Sequence, residues 1–466
     1  MTGLLPAQES HWELMCALSP EAPGASRFVV VDNRFVDAPL DPAAMRRAFA
    51  DVVRRHDALR LVFDDTGVDP RLRIEPSVEP PVDYLDLTGR GEAEVADTLG
   101  EIVYREHHRT FELTAGPAWH AWYVRLGPDR HFVNACFSEI IADGWASKVF
   151  MEDLLAAHAV HTGDAPAPPP PLSFAEMGDL QRARLAPTPE RLAYWRERLL
   201  PLARPALFRS RLTDETSLLV RHRIDVDFEP ALLPALRGLA WRARSSLFVV
   251  LMAAYHVLLT AATGRERTVV STAALGRTSE RERRSLLPCT IDPYVATTLA
   301  PGTSLLDAVA RTHEAMDLAM ANLVPFTAVA RAVNPGFDAA RPWPDLELCD
   351  GNFFSAAFED HELSLGGMRV TMPRMRSRIP ADPAGTTLLA GAVPAERRAV
   401  WAAYCGPSLE VSHARDGCAL IYNGEVYDAG EARAHLGAYL DVVRLMATAP
   451  ETTVGAVADR YVRTPA

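Results

Sequence analysis

The chain has 466 residues, of which 48% are hydrophobic and 23% charged, a composition typical of a folded globular protein. This length exceeds what one hydrophobic core usually organises, so two or three domain-sized units are expected. The 48 basic and 60 acidic side chains leave a net charge of −12, which argues against nucleic acid as a partner because phosphate binding needs a basic face.

Cysteine usage and the apolar runs bear on the cellular compartment. The cysteines show neither a C-x-x-C pair nor the spacing of a zinc site; they stand at positions 16, 136, 289, 349, 405 and 418. Apolar surroundings at Cys136 and Cys418 favour buried free thiols. The N-terminus lacks a signal-peptide pattern, and the run 247–262 is too short to span a bilayer. We therefore expect a reduced, soluble cytoplasmic protein without a metal site or membrane contact.

The first half of the chain predicts a helix, a hairpin and a second helix. Asp41 caps and Pro42 opens a helix whose apolar residues recur with helical spacing as far as residue 53. Residues 118–126 and 131–137 predict a hairpin around Gly-Pro-Asp, and a helix is expected over 145–158. The segment that joins this hairpin to this helix is therefore a strand-to-helix turn.

The second half begins after a proline-rich segment, 161–171, that predicts a stiff linker. Beyond it, Ser245 or Ser246 caps an apolar helix over 247–262 that Gly264 ends, and a strand follows over 268–274. A hairpin is predicted around Asp416-Gly417, followed by a helix over 430–447. Both halves therefore mix strands with long helices, which indicates two α/β layers of similar build.

The strand-to-helix turn carries the sequence Ser138-Glu139-Ile140-Ile141-Ala142-Asp143-Gly144. This stretch resembles the H-H-x-x-x-D-G motif of non-ribosomal peptide synthetase condensation domains, with Ser138 and Glu139 at the two histidine positions. Further elements in the order of that family are Pro6–Trp12, Arg55–Arg60, Phe174–Glu176, Tyr194–Trp195, Gly276–Arg277 and Leu323–Phe326. No Walker loop, dinucleotide-binding glycine pattern or H-E-x-x-H accompanies them.

The resemblance implies a fold and a class of reaction in antibiotic and natural-product biosynthesis. The fold would be two chloramphenicol-acetyltransferase-like lobes in a V around a tunnel, the first lobe being 1–172 and the second 173–466. Acyl or peptidyl carrier proteins would present thioesters on phosphopantetheine arms, acting in trans on a free-standing monomer with no bound cofactor. Asp143 and Arg277 would form a structural salt bridge, and Gly144 would allow the pantetheine to approach closely.

Glu139 stands where the family has its catalytic histidine. A carboxylate is a weaker base than imidazole by about two pKa units, which with a Brønsted slope of about one half costs roughly tenfold in rate. Burial in an apolar tunnel would raise the pKa of a glutamate and recover part of this loss. Glu139 is therefore a candidate to accept a proton from the nucleophile or to hold a cationic amine, with a turn-forming role as the alternative.

The other candidate site residues lie around this motif. Ser138 lacks a basic partner that would make it a nucleophile, so capping the turn is the alternative to a catalytic role. Ser138 and Ala146 also depart from the pattern of the heterocyclising branch of the family, which disfavours thiazoline or oxazoline formation. Candidate tunnel residues are Trp145, Ser147, Tyr294 and His361. The alternative is capping for Ser147 and packing for Tyr294, and His361 is the nearby histidine that could replace the missing base.

Three functions remain open from the sequence. The first is a stand-alone condensation-type acyltransferase that joins a carrier-bound acyl or aminoacyl group to an amine or alcohol. The second is a catalytically inactive binding protein that recruits other enzymes to carrier-bound intermediates, which the loss of both histidines motivates. The third keeps catalysis but performs a cyclisation or another step that forms no amide.

Overall fold

A computed structural model describes the chain over 3–18, 24–26, 28–65, 70–163, 165–199, 221–333, 335, 353–356, 362–365, 368–371, 407–412, 416–424 and 427–462. The chain divides into two compact units. Unit 1 comprises Met1–Ala186, Leu275–Thr290 and Phe358–Pro380, and unit 2 comprises Pro187–Ala274, Ile291–Ala357 and Ala381–Ala466. The units are thus interleaved in sequence, whereas the sequence suggested one boundary between residues 172 and 173.

The helices are numbered in chain order over the described residues. They are α1 (Pro6–Leu18), α2 (Pro42–Arg55), α3 (Glu92–His107), α4 (Gly144–Thr162), α5 (Phe174–Arg184), α6 (Pro189–Leu199), α7 (Leu232–Arg242), α8 (Leu247–Thr263), α9 (Glu280–Arg283), α10 (Leu305–Ala321), α11 (Phe326–Val333), α12 (Ala429–Thr448) and α13 (Val454–Val462). A 3₁₀ helix covers Asp57–Arg60.

The strands are numbered in the same way. They are β1 (Ala25–Ser26), β2 (Val29–Asp37), β3 (Leu61–Asp65), β4 (Arg71–Ile74), β5 (Val82–Asp86), β6 (Phe111–Glu112), β7 (Trp119–Arg125), β8 (Arg130–Ser138), β9 (Arg221–Asp227), β10 (Arg267–Ser271), β11 (Tyr294–Thr298), β12 (Phe353–Ala356), β13 (Glu362–Leu365), β14 (Met368–Thr371), β15 (Ser408–Ser412) and β16 (Gly417–Asn423).

Unit 1 is built on a six-stranded mixed sheet in the order β13-β14-β2-β8-β7-β5. β8 pairs antiparallel with β2 from Val29 opposite Ser138 to Asp37 opposite Arg130. Side chains of β8 alternate between two cores: Val133 and Phe137 join the core with α2 and α4, and Phe132 joins the core with α3. This sheet therefore carries helices on both faces and holds the C-terminal end of β8 at a fixed place.

Unit 2 has its own six-stranded sheet in the order β11-β10-β12-β15-β16-β9. Its core surrounds α8, which is buried without interruption from Val249 to Ala261. Ser246 caps this helix by accepting a hydrogen bond from the Val249 N–H, and Gly264 ends it in the left-handed conformation with φ +68°. Both units thus combine a mixed sheet with packed helices.

The main elements predicted from the sequence are confirmed. Asp41 caps α2 through a 2.6 Å hydrogen bond from the Ala44 N–H, and the β7–β8 hairpin runs into α4. The β15–β16 hairpin and α12 also occur where they were predicted, whereas β10 ends at Ser271, three residues earlier than expected. Within the described residues, the cysteines are free thiols.

In the part of the chain that the structure describes, no single helix is long and apolar enough to cross a membrane. Two sharply bent pairs, α7 with α8 and α10 with α11, satisfy length and composition only when each pair is taken together.

Candidate functional site

The motif residues 138–144 form the turn between β8 and α4. Asp143 is the N-cap of α4, and its Oδ1 accepts a 2.9 Å hydrogen bond from the Ala146 N–H. The three apolar residues between Glu139 and Asp143 are fully buried, so they anchor the turn in the core of unit 1. The turn therefore presents Glu139 and Asp143 from a firmly held backbone.

Asp143 and Arg277 form a bidentate salt bridge. The two guanidinium Nη atoms donate to the two carboxylate oxygens at 2.8 and 2.9 Å. Oδ2 also accepts from the N–H groups of Cys289 and Thr290, at 2.9 and 3.0 Å, and from the Thr290 hydroxyl at 3.0 Å. This is the salt bridge that the resemblance implied, and it ties the segment 275–290 to the start of α4.

Neighbouring groups keep both side chains of this pair ionised. Burial opposes ionisation of Asp143, but the Arg277 charge and the N–H donors outweigh burial and hold the pKa of that carboxyl below its ordinary value. Burial likewise opposes the charge on Arg277, yet Asp143 raises the pKa of the guanidinium. Both groups stay ionised, so the pair maintains the turn and does not exchange protons.

Gly276, the residue before Arg277, allows the backbone to approach the Cys289 carbonyl. Its φ is +66°, and an added Cβ would lie 1.8 Å from the Cys289 oxygen. The Gly276 carbonyl accepts a 2.7 Å hydrogen bond from Arg184 Nη1 on α5. The glycine therefore closes the loop that carries Arg277 and the two backbone donors to Asp143.

Ser138 lies buried beside a second serine. Its side chain is fully buried, and its Oγ lies 2.5 Å from the buried Ser26 Oγ. Its N–H donates to the Ala118 carbonyl at 2.8 Å. This arrangement is the turn-capping alternative to a catalytic role, because the hydroxyl is enclosed in the core and bonded to a second serine.

Trp145 and Ser147, on the first turn of α4, make local contacts in unit 1. Trp145 Nε1 donates to the Arg283 carbonyl at 2.7 Å, and Lys148 Nζ lies 4.9 Å from the indole ring centroid. The buried Ser147 hydroxyl donates to the Gly144 carbonyl at 2.9 Å, which is the capping alternative. Both side chains therefore help to hold the N-terminus of α4.

The opening element of the chain contacts the same turn. Gln8 on α1 donates from Nε2 to the Ile140 carbonyl at 2.7 Å, in a fully buried position. Gln181 on α5 accepts from the Ala7 N–H at 3.1 Å and donates to the Pro288 carbonyl at 3.0 Å. Two buried amides thus link α1 to the motif turn and to the segment that carries the donors for Asp143.

The Glu139 side chain lies next to that of His11 on α1. The Nε2 atom of His11 lies 3.3 Å from Glu139 Oε2, with side-chain exposures of 29% and 33%. His11 follows Gln8 by three residues and so lies on the same face of the helix. In the sequence, His11 stands within the opening element Pro6–Trp12, and no local pattern there indicates its contact with Glu139.

The Arg-His-Asp element at the end of α2 is also structural. The Oδ2 atom of Asp153 on α4 lies 2.6 Å from Arg55 Nε and 2.7 Å from His56 Nε2. Asp57 accepts a 2.8 Å hydrogen bond from the Phe174 N–H at the start of α5. Burial lowers the pKa of His56, although the Asp153 carboxylate acts to raise it. This direction is consistent with a histidine packed in the interior.

Two candidate tunnel residues remain. Tyr294 lies in unit 2, where it is 4% exposed and its ring centroid lies 6.1 Å from that of Trp195 and 6.5 Å from that of Phe326. This arrangement is the packing alternative. His361 lies outside the described residues. Within those residues, no cluster of His, Cys, Asp and Glu could hold a metal ion.

Sequence comparisons match this chain to one family. The family model of the condensation domain matches residues 17–333. Phosphinothricin tripeptide synthetase PhsC of Streptomyces viridochromogenes is 30% identical over 317 residues, which are 64% of this chain and 28% of PhsC. The chain therefore spans less than a third of the length of this curated relative.

Solved structures share the fold. The crystal structure of SgcC5 from Streptomyces globisporus, in complex with (R)-(-)-1-(2-naphthyl)-1,2-ethanediol and sucrose, matches with a TM-score of 0.74 at 22% identity, covering 97% of this chain and 100% of SgcC5. The complex of the X-domain and OxyB from teicoplanin biosynthesis matches with a TM-score of 0.73 at 20% identity, covering 97% and 95%. These likenesses confirm the mixed α/β fold. Because the family model covers more than half of the chain, this protein belongs to the condensation domain family.

Proposed function

We propose that this protein is a condensation-type acyltransferase that joins the acyl group of a carrier-bound phosphopantetheine thioester to an amine or hydroxyl. The supporting observation is the intact frame of the motif turn, in which Asp143, Arg277 and Gln8 hold the backbone that presents Glu139. These buried contacts keep the turn in the conformation that leaves the Glu139 side chain partly exposed.

The proposed reaction is a substitution at the thioester carbonyl. The nucleophile attacks the carbonyl carbon, a C–N or C–O bond forms, and the C–S bond breaks. The carboxylate of Glu139 takes the proton of the nucleophile, and the departing pantetheine thiolate receives a proton in return. Glu139 suits this role because a third of its side chain is exposed, unlike Ser138 beside it.

The direct test is transfer between defined probes. Octanoyl- and leucyl-phosphopantetheine thioesters serve as donors, leucine ethyl ester as the amine, and (R)-1-(2-naphthyl)-1,2-ethanediol as the alcohol. The diol is chosen because SgcC5 was solved with it. Mass spectrometry is expected to show an amide or ester formed faster than in buffer. Absence of product with these probes and with acyl-loaded carrier proteins would refute the transferase.

We expect Glu139→Gln to lower kcat about 10²-fold or more, because the amide keeps the shape of the side chain but has no basic oxygen. The measurement is the initial rate of product formation at saturating donor. Glu152→Gln on α4 is the matched control, since Glu152 is also partly exposed at 39% and pairs with Lys148. Equal rates for wild type and Glu139→Gln would eliminate Glu139 as the base.

A second candidate is a recruiting protein. The loss of both motif histidines favours it, and so does the presence of a complex with OxyB among the solved structures of this fold. Incubation with acyl-loaded carrier proteins separates the candidates. Stable complex formation without acyl transfer would support recruitment, and transfer would support the enzyme. A product that has lost water within one acyl chain would indicate the cyclising alternative.

A further inference from the structure

The pair His11–Glu139 brings an imidazole to the place where the motif lacks one. The two side chains come from elements far apart in sequence, and His11 Nε2 lies 3.3 Å from Glu139 Oε2. A separation of this size is within the range of catalytic hydrogen bonds before substrate binds, which are often long.

Buried contacts hold the backbone on either side of the His11–Glu139 pair. On α1, the buried Gln8 bonds the motif turn, and Trp12 next to His11 is 3% exposed and stacks on Phe63 with ring centroids 5.4 Å apart. On the turn, the Glu139 N–H donates to the Phe28 carbonyl at 2.9 Å. Buried contacts thus hold the backbone that carries the histidine and the backbone that carries the carboxylate.

We propose that His11 is a positioning residue that acts through Glu139 and holds the transferred proton. This inference rests on the proposed transferase function. Glu139 accepts the proton as the nucleophile forms its new bond to the thioester carbonyl carbon, and passes it to the unprotonated Nε2 of His11, whose neutral imidazole carries its own proton on Nδ1. The C–S bond breaks, and the same proton returns through Glu139 to the thiolate sulfur. No other reactant is needed.

The different basicities of carboxylate and imidazole explain the advantage of placing His11 behind Glu139. A carboxylate alone is a weaker base than imidazole by about two pKa units. A neutral histidine behind it offers the proton a more basic acceptor, and histidine is the side chain that ordinarily titrates near neutral pH. The pair therefore supplies imidazole basicity at a motif from which both histidines have been lost.

The pH profile of transfer distinguishes this role from a structural one. Transfer from octanoyl-phosphopantetheine to leucine ethyl ester is measured between pH 5.5 and 9, with the amine kept saturating as its free base. Wild type is expected to lose activity on acidification with a single ionisation near neutral pH, because protonated His11 accepts no further proton. His11→Asn is expected to lower kcat about tenfold at pH 8 and to abolish that ionisation.

The matched control is His161→Asn. His161 on α4 pairs with Asp51 on α2 at 2.7 Å with exposures of 23% and 29%, so this variant removes a similar pair away from the motif. It is expected to keep the wild-type pH profile. Thermal unfolding midpoints of the two variants are expected to agree, which would show that any loss specific to His11→Asn is not a loss of folding.

A measurement without turnover tests the pair itself. In protein labelled at histidine, the titration midpoint of the His11 ring resonance is expected to move to lower pH in Glu139→Gln, because the neighbouring negative charge is removed. An unmoved midpoint would overturn the inference. Wild-type activity with an unchanged profile in His11→Asn would overturn it and leave the transferase standing, whereas absence of transfer by wild type would overturn both.

Discussion

Replacing Arg277 with methionine is expected to destabilise the protein by about 3–5 kcal/mol, the range found when one partner of a buried ion pair is removed. The Arg277 side chain is fully buried and makes two bonds to Asp143. Methionine fills much of the same volume but leaves the Asp143 charge opposed only by hydrogen-bond donors. The start of α4, and with it Glu139, would lose its main support.

Urea unfolding followed by tryptophan fluorescence measures this loss. Arg281→Met is the control, because Arg281 pairs with Glu176 at the surface with exposures of 59% and 49%. That variant is expected to change the free energy of unfolding by no more than about 0.5 kcal/mol. Similar losses of unfolding free energy in the two variants would show that the buried Asp143–Arg277 bridge stabilises the fold no more than a surface ion pair does.

The same substitution is expected to change how stability depends on pH. In wild type the pKa of Asp143 is depressed on folding, so its contribution is complete above the unfolded pKa, about 3.9, and is lost as pH falls through the folded pKa. Without Arg277, burial is less opposed and the pKa of Asp143 rises. The penalty of Arg277→Met should therefore shrink between pH 7 and pH 4, whereas a constant penalty would contradict this account.

Local physics explains which elements could be predicted from the sequence. The cap at Asp41, the cap at Ser246 and the left-handed end at Gly264 each depend on residues within one helical turn, so they are readable without tertiary structure. The pairing of Asp143 with Arg277 was available only through the resemblance, because nothing local connects two residues so far apart in the chain.

The remaining parts of the site depend on tertiary contacts that leave no local signal. The N–H groups of Cys289 and Thr290 bond Asp143, and a backbone donor has no side-chain signature. The segment 275–290 belongs to unit 1 although unit 2 residues flank it in sequence. His11 likewise reaches Glu139 only because α1 packs on the motif turn, so a search for the missing histidine near the motif could not find it.

The second large effect is expected from Gly276→Ala. A left-handed backbone costs a residue with a side chain about 1–2 kcal/mol. The new methyl group would also lie 1.8 Å from the Cys289 carbonyl oxygen, far below the 3.0 Å under which Cβ contacts essentially do not occur. Cys289 would have to move, and its N–H is one of the donors to Asp143. We therefore expect a loss above about 3 kcal/mol, from strain together with a weakened Asp143 site.

Gly264→Ala separates backbone strain from close approach. Gly264 has nearly the same φ, +68° against +66°, but nothing lies within 4 Å of an added Cβ. Its substitution should therefore cost only the conformational term, about 1–2 kcal/mol by urea unfolding. The excess loss in Gly276→Ala measures how firmly the chain closes around Asp143. If the two variants lost equal stability, the loop could relax without disturbing the carboxylate, and the motif turn would not depend on this close approach.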